Sequence, residues 1–270
     1  MELHIIPFLK GKLFCYTQGK GRCVVLLHGF LGSSEVWKYI VPYLSKSYKV
    51  ICIDLPGHGK SDCFGYAHSM ELMADAVKTV LKHFHIRSCV LIGHSMGGYV
   101  ALAFAKKYVE MVKGLCLFHS TALPDSEEKK KDRDKAIKIV KHNPKLFIQP
   151  MIKNLFSKRN LKYLKDELKM ANNIALNTSV QGIIAALIGM RDRPSSLNFI
   201  KSSTFPIMFV IGKQDNVLPY TSLLEQYEQV HNKECLLLEY DGHYSQLENP
   251  RATGIALRQF IRKCFKKQQS

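Results

Sequence analysis

Long hydrophobic runs are missing from this 270-residue chain. No apolar stretch approaches the roughly 20 residues that cross a bilayer, which argues against a helical membrane span. The opening, MELHIIPFLKGKLFCYTQGKG, lacks the uncharged core of a secretory signal, because Lys10 and Lys12 interrupt it. A cytoplasmic location is therefore expected. The eight cysteines contain no C-x-x-C, so neither a zinc ribbon nor a thioredoxin-type redox pair is indicated. Cys23, Cys52, Cys89, Cys116 and Cys235 fall in or beside apolar runs, where cysteine serves as a small hydrophobe. A disulfide framework is not expected in a chain of this length without an export signal.

Acidic residues are also scarce, 22 against 39 basic ones, for a net charge of +17. Such an excess can attract nucleic acid, anionic membrane or acidic substrates. The densest basic stretches are EEKKKDRDKAIKIVK and the tail IRKCFKKQQS. Neither alternates with aromatics that could stack on bases. The first mixes signs at helical spacing, as a solvated helix face does. Nucleic acid is not expected as a partner. Internal repeats and low-complexity segments are absent as well, and a hydrophobic content of 46% is enough for a sizeable core.

What is present is an alternation of short β-rich runs with helical patterns, the mark of βαβ units around a mostly parallel sheet. LHIIPF and KLFCYTQ, joined near Gly11, predict an opening hairpin. CVVLLH, KVICIDL, CVLIGH and VKGLCLF follow as strands, apolar throughout, as strands covered by helices on both faces are. SSEVWKYIVPYLSK, SMELMADAVKTVLKHF and the segment after Ser95 read as helices between them. From about Thr121 to about Asn198 no β-rich run occurs, and the pattern predicts three or four amphipathic helices. The alternation resumes with FPIMFVIG, SLLEQYEQV, CLLLEY and a closing helix. The expected architecture is one α/β core, residues 1–120 and 199–270, interrupted by a helical insertion over 121–198.

GHSMGG, residues 93–98, matches G-x-S-x-G between a strand and a helix. Gly93 and Gly97 allow close backbone approach in a strained turn that exposes the Ser95 hydroxyl at a helix N-terminus, where developing negative charge is favoured. A serine needs a base. Of the 11 histidines, His243 is best placed, after the last predicted strand and so on the sheet edge where ligands bind. Asp215, just beyond FPIMFVIG, reaches the same edge and can hold the tautomer of the base. Asp241 and Glu239 are rivals by their nearness to His243. Oxyanion donors would be the amides of Met96 and, from HGFLGSS, of Phe30, with Gly29 and Gly32 keeping that loop close. His28, at a strand end, reads as a brace for the loop.

HGFLGSSEVW, DLPGHGKSD, GHSMGG, GKQDNVLP and GHYSQLENP occur in an order that resembles the α/β-hydrolase superfamily, across essentially the whole chain outside 121–198. The resemblance implies an inserted helical cap, Ser95 as nucleophile, His243 as base, Asp215 as orienting acid and the Phe30 and Met96 amides as oxyanion hole. GMRDRPSS, residues 189–196, resembles a segment that closes the cap in small esterases and enol-lactonases. The implied reaction is hydrolysis of a small ester or thioester with no metal and no organic cofactor. Carbon–carbon bond hydrolysis and perhydrolysis on the same site, or ligand reception without turnover, are the other readings. Leu146, Phe147, Met151, Leu155, Phe156 and the stripe from Ile183 to Met190 are the candidates for pocket walls.

Overall fold

Residues 1–266 are described by the computed structural model, so 267–270, the end of the basic tail, lie outside the described residues. Glu2–Phe8 (β1) and Gly11–Gln18 (β2) form the predicted hairpin. Cys23–Leu27 (β3), Lys49–Ile53 (β4), Cys89–His94 (β5), Val112–Phe118 (β6), Ile207–Gly212 (β7) and Lys233–Leu238 (β8) complete a sheet of order β1-β2-β4-β3-β5-β6-β7-β8. The pairings β1–β2 and β2–β4 are antiparallel and all others are parallel. Every residue of β3, β5 and β7 is buried, which explains their unbroken apolar sequence. Burying one such Val, Leu or Ile side chain contributes about 1.5–3 kcal/mol.

The helices of the first half are Val41–Leu44 (α1), Met70–His83 (α2) and Met96–Lys107 (α3). Between β6 and β7 come Glu127–His142 (α4), Pro144–Asn154 (α5), Lys165–Leu176 (α6), Val180–Arg191 (α7) and Leu197–Lys201 (α8), with no strand among them. Tyr220–Glu228 (α9), Ser245–Glu248 (α10) and Pro250–Lys266 (α11) follow. Two helix layers flank the sheet, α2 packing on α3 in one and α1 on α11 in the other. Serine starts several helices, as Ser69, Ser126 and Ser179 accept the N–H of Leu72, Lys129 and Gly182. Only Ala136 and Val140 of α4 are fully buried; most of its charges face water, but Lys129 and Arg133 are half-buried. Among the described residues no single helix is long and apolar enough to cross a membrane. Cys15, Cys23, Cys52, Cys63, Cys89, Cys116 and Cys235 are free thiols.

One predicted element differs. The helix expected over SSEVWKYIVPYLSK is a 3-10 turn at Ser34–Trp37 followed by the single turn α1. Pro42 lacks the N–H that a continuous helix would bond to Lys38, so the periodic pattern cannot run through it.

The chain leaves β3 for β4 on one side and then crosses to β5 on the other. In such a sheet ligands bind in the crevice beyond the strand C-termini, where the order reverses. His28, Ser95 and His119 directly follow β3, β5 and β6, and Asp215 and His243 follow β7 and β8 within a few residues.

Candidate active site

Ser95 joins β5 to α3 with φ 49° and ψ −115°, a conformation that L-residues rarely adopt. Surrounding bonds hold it there. Its N–H donates to the Phe118 carbonyl at 2.9 Å, while its own carbonyl accepts from Gly98 N–H and from Ser120 Oγ, both at 2.8 Å. A Cβ on Gly93 would collide with the Gly97 carbonyl, and one on Gly97 with the Leu27 carbonyl. The glycines are required because strand, turn and helix cross at backbone contact.

His243 Nδ1 donates to Asp215 Oδ2 at 2.7 Å, and both side chains are buried. That tautomer leaves Nε2 as the acceptor. Asp215 Oδ1 accepts the N–H groups of Val217 and Leu218 at 2.8 and 3.0 Å. A second imidazole bonds the same Oδ2, His119 Nδ1 at 3.2 Å, while His119 Nε2 lies 2.6 Å from Ser245 Oγ. Burial alone would raise the Asp215 carboxyl, but the two imidazoles hold it far below the usual carboxylate range. The rivals stand elsewhere. Glu239 pairs with Lys213 at 2.6 Å, and the Asp241 carboxyl turns to Ser245 and Asn249. His119, Asp215 and His243 bring ligand-type atoms within 4.8 Å of one another. A cation there would have to displace both imidazole–carboxylate bonds.

His94, the variable residue of G-x-S-x-G, donates from Nε2 to the His243 carbonyl at 2.8 Å. Its ring stacks on Tyr244 with centroids 5.0 Å apart. Burial keeps this imidazole neutral, well below the ordinary histidine range. The His243 N–H donates to Leu155, at the end of α5, at 2.7 Å. Glu248 accepts from Gly242 and Ser157 N–H at 2.9 and 3.1 Å and from Asn160 Nδ2 at 2.9 Å. The histidine loop is thereby tied both to the serine turn and to the inserted helices.

The loop after β3 is held as tightly. His28 Nδ1 donates to the Gly29 carbonyl at 2.8 Å, and its Nε2 accepts Leu55 N–H at 2.9 Å. Burial brings its pKa down to about 4, so both roles belong to the neutral ring. Asp54 accepts Ser34 N–H at 2.7 Å. A Cβ on Gly29 would lie 2.7 Å from His94 Nδ1 and 3.3 Å from Ser95 Cβ, so Phe30 follows a backbone segment laid against the serine. Leu31 has φ 60°. The N–H of Met96, first in α3, has no partner within its helix.

Ser95 and His243 face one cavity of about 580 Å³, lined also by Phe30, His94 and Tyr99. Of the wall candidates, Phe147, Met151, Leu155, Leu187 and Met190 line it. Leu146 points to solvent, 67% exposed, and Phe156 is buried against Tyr244. At the neck of the insertion, Arg193 of GMRDRPSS bonds Asp125 at 2.7 Å and the Met190 carbonyl at 2.6 Å.

The family profile of the alpha/beta hydrolase fold matches residues 22–250. The chain belongs to that family. This hydrolase superposes on a thermophilic esterase from Thermogutta terrifontis with a TM-score of 0.92 and 28% identity, over 98% of this chain and 99% of that one. It is 25% identical to a monoacylglycerol lipase from Bos taurus across 92% of its own length and 79% of the lipase. It shares the fold of an enol-lactonase from Burkholderia xenovorans LB400, with TM-score 0.85, 17% identity and coverage of 93% and 97%. Two site residues escape a reading of the hydrolase's sequence motifs, His94 and His119. The available signal for His119 is an imidazole set directly after an apolar strand, VKGLCLF, on the edge that receives Ser95 and Asp215.

Proposed function

We propose that this hydrolase cleaves a small carboxylic ester or thioester through an acyl-enzyme on Ser95. The Ser95 oxygen bonds to the carbonyl carbon as His243 Nε2 takes its proton, and the carbonyl electron pair moves to oxygen. The amides of Phe30 and Met96 receive that oxyanion; losing one such donor typically costs about 10² to 10³ in turnover. Collapse breaks the bond to the leaving alkoxide or thiolate, which takes the proton from His243. Water then gives a proton to His243 and attacks the acyl carbon, and the second collapse frees the acid and restores Ser95. Asp215 holds the imidazole in the required tautomer and stabilises its charged form. Residues 121–198 act as a cap whose apolar side chains wall the acyl or alcohol pocket.

The observation that carries this reading is the 2.7 Å bond from His243 to Asp215, set beside Ser95 in one cavity. The names of the esterase and lipase relatives support an ester as substrate. A fluorophosphonate probe with peptide mapping provides the test. Labelling should fall on Ser95, vanish in Ser95→Ala and drop sharply in His243→Ala. A folded protein that does not label on Ser95, and turns over no p-nitrophenyl ester, would overturn this reading.

A further inference from the structure

We propose that the substrate carries an anionic group, separated from the scissile ester by an apolar spacer, and that Lys129 binds it. The proposal rests on the hydrolase reading above and names the substrate class of the same site. Lys129 lines the cavity that holds Ser95 and His243. It is half-buried, and its ammonium donates at 3.3 Å to the carbonyl of Val217, the residue whose N–H holds Asp215. An ammonium has three donors, and among the described residues no carboxylate pairs with this one. A charge drawn out of water without a counter-ion is costly, and burial accordingly lowers the Lys129 pKa.

The neighbouring charges do not neutralise it. The Asp125 carboxylate already serves two guanidinium groups, those of Arg133 and Arg193. That leaves three cations around Asp125; the Asp215 carboxylate also acts on Lys129 through space, but its two oxygens already accept four hydrogen bonds. Arg193 also lies over the ring of Tyr99, 3.9 Å from its centroid, and Tyr99 and Arg133 both line the cavity. Glu128 and Asp132 reach the cavity as well, but both are exposed, and Asp132 pairs with Lys135 at 3.1 Å. They sit in water, where their fields are screened. The remaining walls, Phe147, Met151, Leu155, Leu187 and Met190, suit the hydrocarbon between the anion and the ester.

Two pairs of esters test this, each an anion against a neutral isostere. In the acyl series, mono-p-nitrophenyl glutarate is compared with its methyl ester. In the leaving-group series, 4-carboxyphenyl butyrate is compared with 4-acetylphenyl butyrate. In at least one series the wild-type kcat/KM should favour the anion by about tenfold or more at low salt, the scale of one charge-assisted hydrogen bond. Lys129→Gln keeps an N–H for the Val217 carbonyl but removes the charge, and should bring that ratio towards one. Lys129→Arg should retain most of it. A wild-type enzyme that ignores the anion in both series overturns the proposal, with no variant needed. So does a Lys129→Gln enzyme that slows both members of a pair equally, which would make Lys129 a strut between α4 and the Asp215 loop. Turnover of the neutral esters, and its loss in Ser95→Ala, tests the hydrolase reading separately.

Discussion

Asp215 has two oxygens and four hydrogen bonds, two from backbone amides and two from imidazoles. Replacing it with Asn would put an amide N–H or a weaker acceptor against His243 and favour the wrong tautomer. Asp215→Asn should keep the fold and lower kcat by about 10³ to 10⁴, measured on a p-nitrophenyl ester. His119 touches Asp215, so in the proposed reaction it would act only through that carboxylate, as a positioning residue. His119→Leu should lower kcat about tenfold with little change in KM, the loss of one of four bonds to a buried carboxylate. Asn at 119 can place Nδ2 where Nδ1 lies, so His119→Asn should recover most of that loss. A merely structural histidine would not distinguish the two variants by kcat. GHSMGG and GKQDNVLP are legible because their chemistry is local, written in turn residues at fixed spacing. The role of His119 is not local. It depends on the parallel register of Leu117 with Phe209 and Phe118 with Val210, which brings one strand end beside the next and appears nowhere in the linear sequence.

At the scale of elements, the strained turn between β5 and α3 separates the needs of function from those of stability. Ser95 at φ 49° is in a conformation that only glycine adopts freely. Ser95→Ala and Ser95→Gly both remove the hydroxyl, but only glycine relieves the backbone. Ser95→Gly should therefore unfold at higher urea than Ser95→Ala, by about 1 kcal/mol. Equal stabilities would mean that the turn stores no strain. Gly97→Val should cost about 3 kcal/mol or more, because its side chain would enter the Leu27 and His28 carbonyls. The strands were readable from their unbroken apolar runs. The helical reading of 33–46 failed because periodicity sees the buried Val36, Trp37, Val41 and Leu44 and cannot weigh one missing N–H at Pro42. Leu146, Phe147 and Phe156 look alike in sequence. Their fates diverge because α5 ends at the histidine loop, with Leu155 bonded to His243, and only docking decides which side chains face the cavity.

For the molecule as a whole, protons link these buried sites to stability. His28, His58, His94 and His119 are fully buried, and burial lowers each pKa, to about 4 for His28 and about 3 for His58. In the unfolded chain each titrates near its ordinary 6.5. As pH falls below 6.5 the unfolded state gains protons that the native state refuses, so stability is present above 6.5 and is lost on acidification towards the folded values. Glu248 has the opposite sign. Burial pushes it from 4.5 up to about 7, so it holds a proton in the native state that the unfolded state releases, and its contribution fades as pH rises from 4.5 to 7. Each proton is worth about 1.4 kcal/mol per pH unit. Burial also lowers His68 and raises Asp241, so five imidazoles outweigh two carboxyls. Urea unfolding between pH 4.5 and 6.5 should show stability rising with pH, by about 1 to 4 kcal/mol per unit. Glu248→Gln should steepen that rise by removing an opposing proton, and His58→Phe should flatten it. A profile that falls with pH across this window would mean that these imidazoles are charged in the native state. The neutral His94 ring that donates to the His243 carbonyl, and the neutral His28 ring that accepts Leu55 N–H, would then not be what holds the site.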